Sequence, residues 1–200
     1  MAVEFEFEFE FDVRAVARRR ERIPDGFRFS VKAPRGLTHA KRLYAPEAWV
    51  DRISQRWHEL GDKRGVLLVQ LPPGQGRDDA RLSYFLGRLP WWVHVAVELR
   101  HPSWQDDAVF ALLEQHRAAY CVMSGAGLPC VLRAAAGFLY VRLHGPDPNH
   151  LYADTYPDSD LHWWADRIRE WSGRDVLVYF NNDGAGHAVR DAESLRRILD

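Results

Sequence analysis

Glu98, Arg100 and His101 arrive together where an apolar run of β-formers, Val93 to Val97, comes to its end, and Trp104 follows at once. A carboxylate leaving an apolar strand is a candidate general acid or base: desolvation raises its pKa, while a guanidinium such as Arg100 or Arg142 opposes the rise. The architectural alternative for Glu98 is an internal ion pair that only orders its surroundings. Arg142 and His144 end a second apolar run, and their spacing of two puts both side chains on the same side of a strand. An inward Arg and His require a polar partner. An anionic ligand, phosphate or carboxylate, would serve, with Lys32 adding a second positive charge; the alternative is that Glu98 and Asp183 satisfy them internally. A third run ends in Asn181, Asn182 and Asp183, whose amides suit hydroxyl-rich or base-like ligands, although Asn-Asp-Gly is equally a turn sequence. The catalytic candidates are Glu98, His144 and Asp183. The ligand-binding candidates are Lys32, His39, Gln70, Arg100, His101, Trp104, Arg142, Asn181, Asn182 and His187.

His39, His101 and His187 lie just past strands, where they would join Glu98 or Asp183 around a divalent metal. No HxH or HExxH spacing supports that reading, so a metal cofactor is not favoured. Cys121 and Cys130 lack CxxC spacing, and no nucleophile elbow or phosphate loop is present, so covalent catalysis has no support. Trp91, Trp92, Trp163 and Trp164 read as filler between helices and sheet, with Trp104 the indole expected near a ligand.

The elements that must position these groups follow from periodicity. Residues 3 to 11, VEFEFEFEF, alternate with period two as a strand with one charged face, and Val13 to Ile23 is an arginine-rich helix. Phe27 to Lys32 is a strand, Ala33 to Ala45 a loop, and the stretch from Pro46 to Gly61 an amphipathic helix. Strands at Gly65 to Leu71, Val93 to Glu98, Ala119 to Ser124, Phe138 to Gly145 and Asp175 to Phe180 then alternate with helices at Asp79 to Leu89, Asp106 to Arg117, Asp160 to Trp171 and Ala188 to Leu199. Between Gly125 and Gly137 there is room for only a short crossover. Continuous apolar strands alternating with helices define an α/β protein with a parallel sheet buried on both faces. The strand count points to a TIM-type (β/α) barrel, incomplete with seven parallel strands, with its site at the carboxyl ends of the strands. A doubly wound open sheet is the second choice, weakened by the absence of GxGxxG.

At 200 residues and 46% hydrophobic content the chain has enough material for one domain with a real core, and residues 1–200 are read as one unit. The formal charge of −1 gives no global reason to expect nucleic acid or an anionic membrane, and only Lys32, Lys41 and Lys63 are lysines. The Arg18, Arg19, Arg20 and Arg22 cluster is better read as a solvated helix face than as a nucleic-acid contact. No stretch approaches the roughly 18 apolar residues of a membrane span, and a cytoplasmic protein is expected.

Five motifs in order resemble the YecE-like family of uncharacterised domains. They are Phe29 to Lys32 with Thr38 and His39, Leu68 to Pro73, Ala96 to Trp104, Tyr140 to Gly145, and Tyr179 to Asp183 with His187 and Ala188. The resemblance covers nearly everything from Phe27 to the C-terminus, and the set is far more specific than any single motif. It implies a TIM-type barrel with a pocket at its carboxyl face and brings no established reaction with it. Members of the family usually open with a further strand bearing a GTSGW-like motif and then a VEVNSTFY-like strand. Here the first is missing and the second is represented by VEFEFEFEF, so the domain is expected to lack the usual first strand.

The leading functional expectation is a barrel that binds a small polar anionic ligand, with acid-base or metal-assisted hydrolysis of a phosphate ester or sugar-type substrate as its natural chemistry. The alternatives are a non-catalytic ligand or nucleic-acid binding module, and an eroded barrel without activity that self-associates through its N-terminal edge strand.

Overall fold

In the computed structural model the described residues are 22–200 together with the backbone of 5–8. The strands are β1 (Phe5–Glu8), β2 (Phe29–Lys32), β3 (Arg64–Gln70), β4 (Val95–Glu98), β5 (Ala119–Ser124), β6 (Phe138–Leu143) and β7 (Asp175–Phe180). They lie in sequence order, β1-β2-β3-β4-β5-β6-β7, and every pairing is parallel. The helices are α1 (Glu47–Glu59), α2 (Asp79–Arg88), α3 (Asp107–Gln115), α4 (Asp158–Glu170) and α5 (His187–Leu199). The alternation expected from periodicity is therefore present, and the crossover between β5 and β6 carries no helix. One stretch read as a plain loop contains a π-helical turn, Gly36–Ala40, which buries Leu37 and Thr38. The helix expected at Val13 to Ile23 lies almost wholly outside the described residues, as do most of the first strand and the arginine cluster apart from exposed Arg22.

Strands β2 to β7 form a parallel sheet curled into a half-barrel. The Ser30 hydroxyl on β2 meets the Tyr179 phenol on β7 at 2.5 Å across the concave side. Among the described residues no pairing joins β1 to β7, so closure of a full barrel is not seen there. The sheet is buried on both faces, as continuous apolar strands require. Leu67, Val69, Val95, Val97, Val122, Val141 and Leu143 pack outward with the helices, including Ile53 and Trp57 of α1 and Phe85 of α2. Val66, Leu68, Ala96, Ala119, Cys121, Tyr140 and Tyr179 fill the concave side. The small side chains of Ala96 and Ala119 leave space for Tyr140 and Tyr179, whose rings stack at 4.7 Å and 25°.

Two helices have clear start signals. Asp78 accepts from the Arg81 amide at the head of α2, and Asp106 from the Ala108 amide at the head of α3. Gly65 is needed where the β2–β3 register shifts, because a Cβ there would stand 2.8 Å from the Phe29 carbonyl oxygen. The tryptophan expectation divides: Trp164 is buried and Trp92 packs on the core, whereas Trp91 and Trp163 are exposed.

Candidate functional site at the carboxyl ends of the strands

The strand ends converge on Glu98. Its side chain, 0% exposed, emerges from β4 with one carboxylate oxygen on Arg100 Nε at 2.5 Å and the other on Arg142 Nη1 at 2.5 Å. Arg142 arrives from β6, and its Nη1 also lies 3.4 Å from the Gln70 side-chain oxygen at the end of β3. His144, two residues beyond Arg142, is also fully buried, and its Nε2 stands 3.9 Å from Glu98 Oε1. Period-two alternation therefore brings Arg142 and His144 to the same carboxylate. The Asn181 amide, just past β7, lies 3.2 Å from His144 Nδ1; with the amide donating, the imidazole proton sits on Nε2. The Cys121 thiol approaches Glu98 Oε2 at 3.9 Å from below.

Burial and charge pull Glu98 in opposite directions. Burial raises its pKa, but the guanidiniums of Arg142 and Arg100 outweigh it and hold the carboxyl at about 2. For His144 burial is the largest influence and favours the neutral ring. Glu98 opposes it, Arg142, Arg100 and Lys32 reinforce it, and the pKa falls to about 3. Near neutral pH the cluster is thus a carboxylate, its guanidiniums and a neutral imidazole. His144 Nε2 has no hydrogen-bond partner among the described residues.

Tyr152 covers the cluster. Its ring packs edge-on to His144 at 5.4 Å, and its hydroxyl accepts long contacts of 3.4 and 3.3 Å from Arg100 Nη1 and Nη2. The loop is held by the Tyr152 amide donating to the His144 carbonyl at 2.5 Å. Gly145 makes the turn beneath it at φ +100°, where a Cβ would lie 2.2 Å from the Ala153 carbonyl oxygen. Tyr152 itself is non-glycine at φ +69°, a conformation kept only because its surroundings impose it.

Of the residues singled out in the sequence, Glu98, Arg100, Arg142, His144, Gln70 and Asn181 come together, and Lys32 is close enough to act on the charge of His144. The others do not join them. Asn182 is buried on the opposite side, donating to the Asp154 carbonyl and to Asp191 at 2.7 Å each. Asp191 also accepts from the Thr155 hydroxyl and the Tyr156 amide, so Asn182 is part of a tether that fixes the loop after Tyr152 to α5. Asp183 is exposed at the turn into α5, with no side-chain hydrogen bond among the described residues. His187 lies 3.0 Å from Arg190 on its own helix. His101 accepts from the Ser103 amide and caps the turn Pro102–Trp104, while His39 pairs with the Thr38 hydroxyl. Trp104, expected near a ligand, is instead in the core, its Nε1 donating to the Gln75 carbonyl at 2.8 Å. Among the described residues no three His, Cys, Asp or Glu side chains gather as a metal-binding group.

Sequence reasoning missed Tyr152, Asp191 and the tyrosine pair under the cluster. The tyrosines were within reach, since Tyr140 precedes Arg142 by two and Tyr179 precedes Asn181 by two, the same parity that joined Arg142 to His144. Tyr152 and Asp191 carry no local pattern, because their roles exist only across the fold.

Fold and site together define an α/β protein with a parallel sheet curled around a buried ionic cluster at its carboxyl end. The chain belongs to the family described as protein of unknown function DUF72, whose family model matches residues 9–200; the YecE-like resemblance is to this same family. A crystal structure of a DUF72 family protein from Thermotoga maritima is similar, with 23% identity and a TM-score of 0.86 over 99% of this chain and 84% of that one. A family protein from Enterococcus faecalis aligns at 19% identity and TM-score 0.83, over 94% of this chain and 79% of that one. These likenesses concern the fold. No curated protein matches the sequence, and among the described residues no helix is long and apolar enough to cross a membrane.

Proposed function

We propose that this protein binds a small polar anion, phosphate or carboxylate in class, at the carboxyl end of its curled sheet. The observation that carries the reading is the posture of Arg100. Its Nε is held by Glu98 at 2.5 Å, while its two Nη atoms make, among the described residues, only long contacts with the hydroxyl of Tyr152. A guanidinium fixed by its Nε presents the paired N–H fork that suits a bidentate anion. An arriving oxyanion takes the place of the Tyr152 hydroxyl, and Lys32 adds positive charge at the same rim. Glu98 enters this reading as the carboxylate that positions the guanidiniums, since with a pKa of about 2 it carries no proton near neutral pH. The reading treats the sheet as an incomplete TIM-type barrel of seven parallel strands in a single unit, with ligand entry over β4 and β6.

A catalytic extension, hydrolysis of a phosphate ester or sugar-type substrate, is favoured by one observation. His144 Nε2 is buried without a hydrogen-bond partner among the described residues, beside the ion pair. A neutral imidazole N–H placed there polarises a phosphoryl or carbonyl oxygen instead of abstracting a proton.

Calorimetric titration with inorganic phosphate and with glycerol phosphate tests the binding reading. Arg100→Ala should weaken either ligand by about tenfold or more, and Arg100→Lys should not restore it, because a lysine has no fork. Phosphate affinity unchanged in Arg100→Ala sinks the proposal. Phosphatase turnover that survives His144→Gln sinks the catalytic extension alone.

A further inference from the structure

A cleft of about 510 Å³ opens beside the ionic cluster, at the carboxyl ends of β5 and β6 and against α4. It is a separate space: His144 faces Glu98, and the next residue, Gly145, lines the cleft. Its chemistry is opposite to that of the cluster. Two carboxylates, Asp147 and Asp160, and two indoles, Trp163 and Trp164, line it, and no lysine, arginine or histidine does so among the described residues.

The polar groups narrow the ligand further. Asp147 Oδ1 accepts from the amides of Asn149 and His150 at 2.6 and 2.9 Å, and its Oδ2 lies 3.2 Å from His150 Nδ1. Those bonds, the Asn149 amide first, hold its carboxyl below the ordinary range. Asp147 therefore brings negative charge with its acceptor positions largely occupied. Among the described residues the Asp160 side chain has only a long contact of 3.4 Å from the neighbouring Ser159 hydroxyl. Burial pushes the Tyr156 phenol up to about 12, so it is neutral, and its oxygen already accepts from the Gly145 amide at 3.0 Å. The Tyr156 and Ser124 hydroxyls and the two indole N–H groups are donors, so the distinctive offering of the cleft is negative charge with no basic side chain lining it among the described residues, which suits a cation. Trp163 is 43% exposed and already carries a guanidinium, that of Arg167, over its ring at 5.4 Å; Arg167 is itself held by Glu170 at 2.5 Å. An indole beside carboxylates is a favourable seat for a cation.

We propose that this cleft binds a small organic cation of the ammonium or guanidinium class, with Asp160 as its direct carboxylate partner, Trp163 as its aromatic platform and Asp147 as a fixed background charge.

The test is calorimetric titration of the full chain at low ionic strength with choline and with agmatine, and with glucose and inorganic phosphate as contrasting probes. At least one cation should bind saturably, more weakly as salt is added. Asp160→Asn and Trp163→Ala should each reduce that affinity about tenfold, whereas Asp166→Asn, which removes an exposed charge from the same helix outside the cleft, should leave it unchanged. Both informative side chains are at least partly exposed, and a thermal melt on each variant verifies that it is folded. The proposal is overturned by absence of saturable cation binding, by binding indifferent to both substitutions, or by glucose or phosphate binding with the same dependence on Asp160.

Discussion

His144 and Gly145 are consecutive residues that belong to two sites of opposite construction. On the His144 side charge is buried, paired at 2.5 Å and locked in one protonation state. On the Gly145 side the carboxylates of Asp147 and Asp160 border an open cleft that no lysine, arginine or histidine lines among the described residues. The contrast teaches how burial changes what an ionic group does. In the cluster, desolvation makes the charges depend on one another, so Glu98 holds two guanidiniums in fixed directions and its own proton chemistry is lost. In the cleft, Asp147 is committed to the turn at Asn149 and His150, while Asp160, with a single long contact among the described residues, remains available to an incoming molecule.

The largest expected effect comes from breaking the buried side. Glu98→Gln leaves Arg100 and Arg142 without their shared anion and should cost about 3–5 kcal/mol of stability in chemical denaturation. Adding Arg142→Met to it should recover part of that loss, giving a clear coupling energy in the double-mutant cycle. Two additive, small losses would remove the distinction between the two regions.

A second, intermediate effect lies in pH. His144 is neutral in the fold down to about pH 3, while the unfolded chain protonates it near 6.5. Proton uptake by the unfolded state alone therefore erodes stability as pH falls from about 6.5 to 3. Glu98, held at about 2 against an ordinary 4.5, adds loss in the same direction between about 4.5 and 2. Between pH 6 and 5, His144→Gln should flatten the dependence relative to the parent by up to about 1.4 kcal/mol per pH unit. Parallel stability curves for parent and variant would place the protonation elsewhere.

The smallest effect is expected on the cleft side. Asp160→Asn should change stability by no more than about 0.5 kcal/mol, because it removes a half-exposed charge whose one side-chain contact among the described residues is long. A loss approaching that of Glu98→Gln would make Asp160 a structural residue and sharpen the comparison against its ligand role.

Much of this architecture was legible beforehand. Apolar runs ending in polar residues located the strands and their reactive ends, and parity alone put Arg142 and His144 on one side of β6. Parity failed at Asn181 and Asn182, because neighbouring residues in a row of amides point to opposite faces and nothing local says which face is concave. Trp104 and His101 followed the strand end closely, but a short turn carried the indole into the core and used the imidazole as its cap.

What the chain determined by itself was local: where the backbone extends or coils, which side chains share a face, and which polar residues leave apolar strands. What only the tertiary structure decided was the state of those residues. The sign of the Glu98 shift depends on whether burial or nearby guanidiniums win, and that turns above all on a 2.5 Å contact with Arg142, 44 residues away in the chain. Coulomb energy falls with distance and with the dielectric around the charges, and both are properties of the assembled fold. The same holds for Tyr152 over His144 and for the cleft beside Gly145, which exist because the curl of the sheet brings together segments that no local pattern connects.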